Sequence, residues 1–357
     1  MRLCMTKRIR SYMCSAFIAA RAEFGYNTTM RRRFLSFVLI LPLFAACRKS
    51  PEPPRTEEAL GTVCTVNAFA DGTAALYDEL FARLRQIDGI FSATDAQSEL
   101  SAVNRAAGER VVSVSGELFS VVQAALRVSA LTDGAFDCTV GPLVSLWGIA
   151  TDHARVPSDA ERESVRSLVG WRDCVLSAED SSVFLAKKGM ALDLGGIAKG
   201  YAADVLADIL RARKVRRAVI NLGGTIYVVG TKADGTPWRV GVKNPDDPQG
   251  GPALALDLGE VAVVTSGDYE RFFEQDGIRY HHILDPKTGF PARTDLRSVT
   301  VVHQSALLAD ALTTAFFVLG MDKSRELAQR LGIGAVFIAE NHAVSATDDL
   351  AQNVVLF

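Results

Sequence analysis

The sequence predicts an α+β domain with mixed or antiparallel sheets flanked by helices. Three observations carry this reading. Helix-spaced and strand-spaced segments interleave along the chain. Several strand-like segments follow one another with only a turn between them, which calls for antiparallel pairing rather than βαβ crossovers. Two double glycines, Gly195-Gly196 and Gly223-Gly224, punctuate the middle of the chain where apolar runs end. With 48% hydrophobic residues and a formal net charge of −2, the chain has the makings of a sizeable core. It lacks the basic surface that nucleic-acid binding would require.

Taken in order, residues 60–69 alternate like a strand, Asp71-Gly72 supplies a turn, and residues 75–90 have helical spacing. Ser98, Glu99 and Asn104 fall in a polar loop or short helix, and residues 116–131 form a second amphipathic helix. A turn-rich segment, 132–137, leads to residues 140–147 and a short charged helix over 159–168. Residues 175–185 read as strand and turn, and Lys187-Lys188-Gly189 as a hairpin bend. An apolar run at 190–192 reads as a strand entering the Gly195-Gly196 turn, and a helix over 201–210 leaves it. Strands follow at 218–222, 238–242, 253–258 and 262–266, then helices at 306–319 and 324–331, and strands at 334–339 and 354–357. The basic cluster from Arg211 to Arg217 complements a helix C-terminus.

The N-terminal part reads as an address. Arg31-Arg32-Arg33 precedes an apolar stretch over 34–44, too short to span a bilayer, and Ala45-Ala46 precede Cys47. Small residues before a cysteine resemble a bacterial lipobox, with lipidated Cys47 as mature N-terminus and Phe44 in place of the usual aliphatic residue. A plain cleaved signal peptide is the competing reading. Residues 1–29 are then an upstream extension, 30–46 the signal peptide, 47–58 a polar, proline-rich tether and 59–357 the domain. The expected location is outside the cytoplasm, on the periplasmic side of a bacterial membrane. Three cysteines remain in the domain, Cys64, Cys138 and Cys174, with no metal-like spacing.

The stretch Asp193-Leu194-Gly195-Gly196-Ile197-Ala198-Lys199-Gly200-Tyr201 draws the chemistry together. Paired glycines opening a helix present backbone N–H groups and the positive end of the helix, which suits a phosphate. A tight packing turn is the alternative, and neither the dinucleotide nor the P-loop pattern is matched. On the 306–319 helix, Asp310 and Thr314 are four apart and share a face. Such a carboxylate and hydroxyl suit Mg²⁺ together with substrate phosphate, or the Asp bonds a neighbouring loop. His281 and His282 are adjacent, so on a strand at most one faces a given site. Either is a candidate general base; structural satisfaction is the other reading.

In combination these segments resemble the ApbE family of flavin transferases over roughly residues 60–345. The resemblance rests on Leu60-Gly61-Thr62, Phe91-Ser92 with Ser98-Glu99-Leu100-Ser101, and Thr132-Asp133-Gly134-Ala135-Phe136-Asp137 with Thr139-Val140-Gly141-Pro142-Leu143. It continues through the 193–201 stretch, Asn221-Leu222-Gly223-Gly224, Thr265-Ser266-Gly267-Asp268-Tyr269, His281-His282-Ile283-Leu284-Asp285-Pro286 and Ala309-Asp310-Ala311-Leu312-Thr313-Thr314-Ala315. It implies an Mg²⁺-dependent enzyme that takes FAD as substrate. A threonine hydroxyl of a target protein attacks the pyrophosphate, FMN becomes joined to the threonine by a phosphoester, and AMP leaves. The implied partners are flavin-accepting subunits of membrane redox complexes.

By position the resemblance assigns Mg²⁺ to Asp310, Thr314, the Gly196 carbonyl and Thr313. It assigns FAD contacts to Leu60, Ala135, Phe136, Asp137, Asp193, Lys199, the backbone near Leu284, and the Ser266, Gly267 and Asp268 loop. His282, with His281 as alternative, is the expected base, and Lys199 the expected electrostatic assistant. Thr94 stands where the family has a flavin-stacking aromatic, so stacking would fall to Phe136 or Tyr269, or flavin affinity would be lower. Cys138 stands where proline is common. The same site would serve an FAD pyrophosphatase, with water in place of threonine. A non-catalytic flavin-binding lipoprotein is the alternative of another class.

Overall fold

An eight-stranded antiparallel sheet runs from edge to edge in the order Arg55–Ala59, Thr62–Asn67, Arg217–Leu222, Thr225–Gly230, Val261–Gly267, Leu296–His303, Gly334–Ala339 and Val344–Ala346. The computed structural model describes residues 50–247 and 249–357. The upstream extension, the signal peptide and Cys47 fall outside the described residues. The fold is α+β, as the run of adjacent strands predicts.

The sheet is covered on both faces, so its central strands read as continuous apolar runs rather than strict alternation. Val261 to Val264 are all buried. One face packs against helices, with Leu206, Leu312, Phe316 and Phe337 in the principal core. The other packs against a small sheet of Trp238–Lys243, Pro252–Leu258 and Val354–Leu356, where Val240, Leu254 and Leu256 meet Val263 and Ile338.

Two helices position the site. Ala198–Ala212 lies against Ala306–Leu319, which in turn lies on the strands Val261–Gly267 and Leu296–His303. Ser305 caps the second helix through Leu308 N–H. Asp204 of the first helix accepts from Ala306 N–H at 2.7 Å and Leu307 N–H at 3.0 Å, so one helix closes the exposed end of the other. A separate hairpin, Phe272–Gln275 with Ile278–His281, rests on Trp147 through Phe273 and Tyr280.

Four expectations are corrected. Residues 55–58 of the expected tether belong to the fold instead, because Arg55–Ala59 is the edge strand of the main sheet. It is polar because it is an edge, and Arg55 and Glu57 pair with Asp78 and Arg85. The strand expected over 60–69 begins only at Thr62. Leu60 and Gly61 form the turn before it, with φ of 53° and 65°. Residues 190–192 form no strand beyond a single bridge between Ala191 and Val140. The helix expected at 324 starts at Met321, directly after Gly320.

Candidate active site

The loop 193–197 is held by contacts from far along the chain. The Asn104 side chain takes the place of a missing strand partner. Its Oδ1 accepts from Leu192 N–H at 2.7 Å and its Nδ2 donates to Leu192 C=O at 2.9 Å. The next amide, Asp193 N–H, donates to Cys138 C=O at 2.8 Å. Asp193 Oδ1 then folds over the turn and accepts from Gly195 N–H at 2.8 Å. Burial pushes the Asp193 pKa upward, opposed by the Gly195 amide and by the charges of Lys199 and Arg271.

Gly196 sits in a corner between two of the expected site residues. A Cβ placed on it would lie 3.2 Å from the Phe136 ring and 3.3 Å from Thr314 Oγ1. Any side chain here would fill the space in front of Thr314. Asp310, 3% exposed, faces the same helix start. Its Oδ2 accepts from Gly200 N–H at 2.9 Å and stands 3.5 Å from Lys199 Nζ. Lys199 Nζ also donates to Gly195 C=O at 2.7 Å. Gly196, Lys199, Asp310 and Thr314 therefore converge, with Phe136 as one wall. The amide donors expected to wait for a phosphate are partly taken, Gly195 by Asp193 and Gly200 by Asp310.

Thr313 corrects the expected ligand set. It is fully buried, and its hydroxyl donates to Asp310 C=O at 2.7 Å and accepts from Ser266 Oγ at 2.9 Å. Thr313 and Thr314 lie about 100° apart around the helix, so with Thr314 turned towards Gly196, Thr313 turns towards Ser266 of the sheet. Ser266 thus braces the helix to the sheet. Asp268 is likewise engaged, its Oδ2 accepting from Arg297 Nε at 2.7 Å. A Cβ on Gly267 would meet the Tyr269 ring at 2.5 Å, so that buried ring packs on the loop and offers no face for stacking a flavin.

Asp137 is also used internally. Its oxygens accept from Thr139 N–H at 2.8 Å, Thr139 Oγ1 at 2.7 Å and Trp171 N–H at 3.0 Å. This carboxylate shapes the loop that carries Ala135 and Phe136, both buried. Thr94 is exposed in a turn, its hydroxyl 3.2 Å from Ser92 Oγ. Leu284 buries its side chain beside Leu143 and Trp147, leaving its backbone to bridge Pro291.

The two histidines separate by role. His281 is buried, with Nε2 donating to Ala292 C=O at 2.9 Å and Nδ1 accepting from Ile283 N–H at 3.3 Å. Both ring nitrogens are occupied, which corrects the expectation that it could serve as base. His282 keeps a partly exposed ring, and Nδ1 lies 3.3 Å from Arg271 C=O. With Nδ1–H donating there, Nε2 is the acceptor nitrogen. Burial, then the charges of Arg271, His281 and Lys199, push the His282 pKa down to about 3. Burial lowers that of His281 too.

A depressed histidine pKa means that the unfolded chain binds the proton first. Stability contributed by these rings is present above the unfolded value near 6.5 and is lost as pH falls towards the folded value. Acidification from pH 7.5 to 5 is therefore expected to lower the melting temperature of the wild type more than that of His282→Gln. Thermal melts at the two pH values check this; equal falls would show that His282 does not titrate abnormally.

Asn104 and Arg271 were not expected here. Each acts on a partner distant in sequence, and only the polar character of their segments was visible.

Residues 60–337 match the ApbE family. A FAD:protein FMN transferase of Treponema pallidum (strain Nichols) is 39% identical over 321 residues, covering 85% of this chain and 89% of the relative. One from Klebsiella pneumoniae (strain 342) is 39% identical over 271 residues, covering 76% and 84%. Among solved structures, an ApbE protein from Thermotoga maritima superimposes with a TM-score of 0.76 at 35% identity, covering 84% of this chain and 98% of that one. The flavin transferase ApbE from Vibrio cholerae gives 0.76 at 30% identity with the same coverage. On the matched family pattern, the identity across most of both chains and the shared fold, this chain belongs to the ApbE family.

Proposed function

We propose that this FAD:protein FMN transferase joins FMN to a threonine hydroxyl of its acceptor, in an Mg²⁺-dependent reaction outside the cytoplasm. The observation that supports the reading best is the convergence of Gly196, Lys199, Asp310 and Thr314 at one helix start. The donors offered there fit the metal. A carboxylate, a hydroxyl and a backbone carbonyl are all hard oxygen ligands, and one carboxylate is typical where substrate phosphates complete the shell of Mg²⁺. When bound, the ion would neutralise pyrophosphate charge and ease departure of AMP.

The chain's own residues supply the rest. Asp310, Thr314 and the Gly196 carbonyl would hold the metal. Ser266 and Thr313 brace the helix that carries two of them. Lys199 places a positive charge beside the pyrophosphate as negative charge develops. His282 Nε2 takes the proton of the acceptor threonine as its oxygen bonds to the phosphorus of the FMN half. The bridging P–O bond breaks and AMP carries away the electron pair.

His282→Gln keeps a polar side chain of similar reach without a base. It is expected to lower FMN transfer by about two to four orders of magnitude, the usual worth of a general base. FAD binding, followed by flavin fluorescence, should change little. Transfer at the wild-type rate would remove His282 from the reaction. The acceptor class that fits is a flavin-carrying subunit of a membrane redox complex, and lipidated Cys47 is the proposed anchor. Support for the anchor comes from Arg31 to Arg33, the apolar stretch and Ala45-Ala46 before Cys47.

A further inference from the structure

We propose that Arg271 is a positioning residue that ties the nucleotide-site turn at Leu60-Gly61 to the segment bearing His282. The inference rests on the transferase reading above for His282's part in turnover and for the place of Leu60 at the FAD site. The link to the turn stands on geometry alone.

Arg271 immediately precedes the hairpin Phe272–Gln275 with Ile278–His281, whose register sets Phe272 opposite His281. It therefore faces His282 one step further along the ladder. Its carbonyl accepts from His282 N–H at 3.0 Å, and the ring Nδ1 lies 3.3 Å from that same oxygen. One backbone oxygen thus fixes both the main chain and the tautomer of the ring. The Arg271 side chain turns the other way. Its Nη2 donates to Gly61 C=O at 2.8 Å, across 210 positions of sequence.

The turn it reaches is strained. Leu60 has φ of 53°, a conformation that a leucine adopts only when its surroundings enforce it. On one side Asp88 Oδ2 accepts from Leu60 N–H at 3.2 Å. On the other Arg271 holds the next carbonyl. The strained turn is thus clamped from two directions, and one clamp is the residue that also sets the ring of His282. Removing the guanidinium frees the Gly61 carbonyl and the segment 271–282 from each other.

The test uses the domain with FAD, Mg²⁺ and an acceptor, comparing wild type, Arg271→Met, Arg271→Lys, His282→Gln and the double variant Arg271→Met/His282→Gln. Arg271→Met is expected to lower kcat about tenfold, since small misplacements of a catalytic group are costly. It should also weaken FAD binding about tenfold, through loss of a charged hydrogen bond. Arg271→Lys, which keeps a donor, should recover part of both. In the His282→Gln background, Arg271→Met should cost little further kcat but the same FAD affinity, because the kinetic effect passes through His282. An equal kcat loss in both backgrounds would overturn the link to His282. Unchanged FAD affinity in Arg271→Met would overturn the link to the turn. A lower melting temperature with kcat and FAD affinity intact would reduce Arg271 to a structural part. If wild type transfers no FMN, the transferase reading fails, while the affinity comparison still decides the clamp.

Discussion

Asp310→Ala is expected to abolish Mg²⁺-dependent FMN transfer, with kcat/KM down by at least about a thousandfold. The residue is 3% exposed, at the one point where Gly196, Thr314 and Lys199 meet. Its Oδ2 is held by the Gly200 amide at 2.9 Å, which aims the carboxylate. The variant should fold. It removes a buried charge whose nearest cation, Lys199, keeps its bond to Gly195 C=O. Melting temperature should change by only a few degrees, since a buried carboxylate is removed while the Gly200 amide loses its acceptor. Activity across a range of Mg²⁺ concentrations, measured beside a thermal melt, checks both halves. Turnover that persists unchanged would remove Asp310 from the metal site.

Gly200→Ala should damage fold and site together. A Cβ at Gly200 would lie 2.2 Å from Ala306 O, 2.6 Å from Ala306 C and 2.7 Å from Leu307 Cα. All three are backbone atoms of the neighbouring helix, so no side chain can turn aside. Alanine would gain up to about 1 kcal/mol in helix propensity. Overpacking costs typically 1–3 kcal/mol and sometimes more, and here it opposes two helix backbones, so the clash should win. The helices must separate, and the Gly200 amide then moves away from Asp310. A net loss of roughly 2 kcal/mol corresponds to a fall in melting temperature of about 3 °C for a chain of this size. A higher Mg²⁺ requirement should accompany it. A variant as stable and as active as wild type would show that the helices do not need this close approach.

Much of this site is legible in the sequence because its signals are local. Asp310 and Thr314 lie four apart on an apolar run, so a shared face follows from the helical repeat alone. The glycines at 195 and 196 mark a turn wherever the strands fall. Adjacent residues of the same kind are harder. Thr313 and Thr314 differ by about 100° around the helix, and only packing against Ser266 shows which is spent. His281 and His282 pose the same question on a strand, and Ala292 and Ile283 answer it by occupying both nitrogens of His281. Long-range braces leave no local trace. Asn104 finds Leu192 across 88 positions and Arg271 finds Gly61 across 210. Residues 55–58 look like tether in the sequence because an edge strand favours charge over apolar alternation.

The central claim is transfer of FMN to a threonine, and intact mass spectrometry tests it most directly. The domain is incubated with FAD, Mg²⁺ and a flavin-accepting domain, and with the same acceptor carrying valine in place of the candidate threonine. The account predicts one FMN added to the threonine acceptor, an equal amount of AMP released, none added to the valine acceptor, and none without Mg²⁺. AMP and free FMN released with no mass gain on the acceptor would contradict it and identify a pyrophosphatase instead.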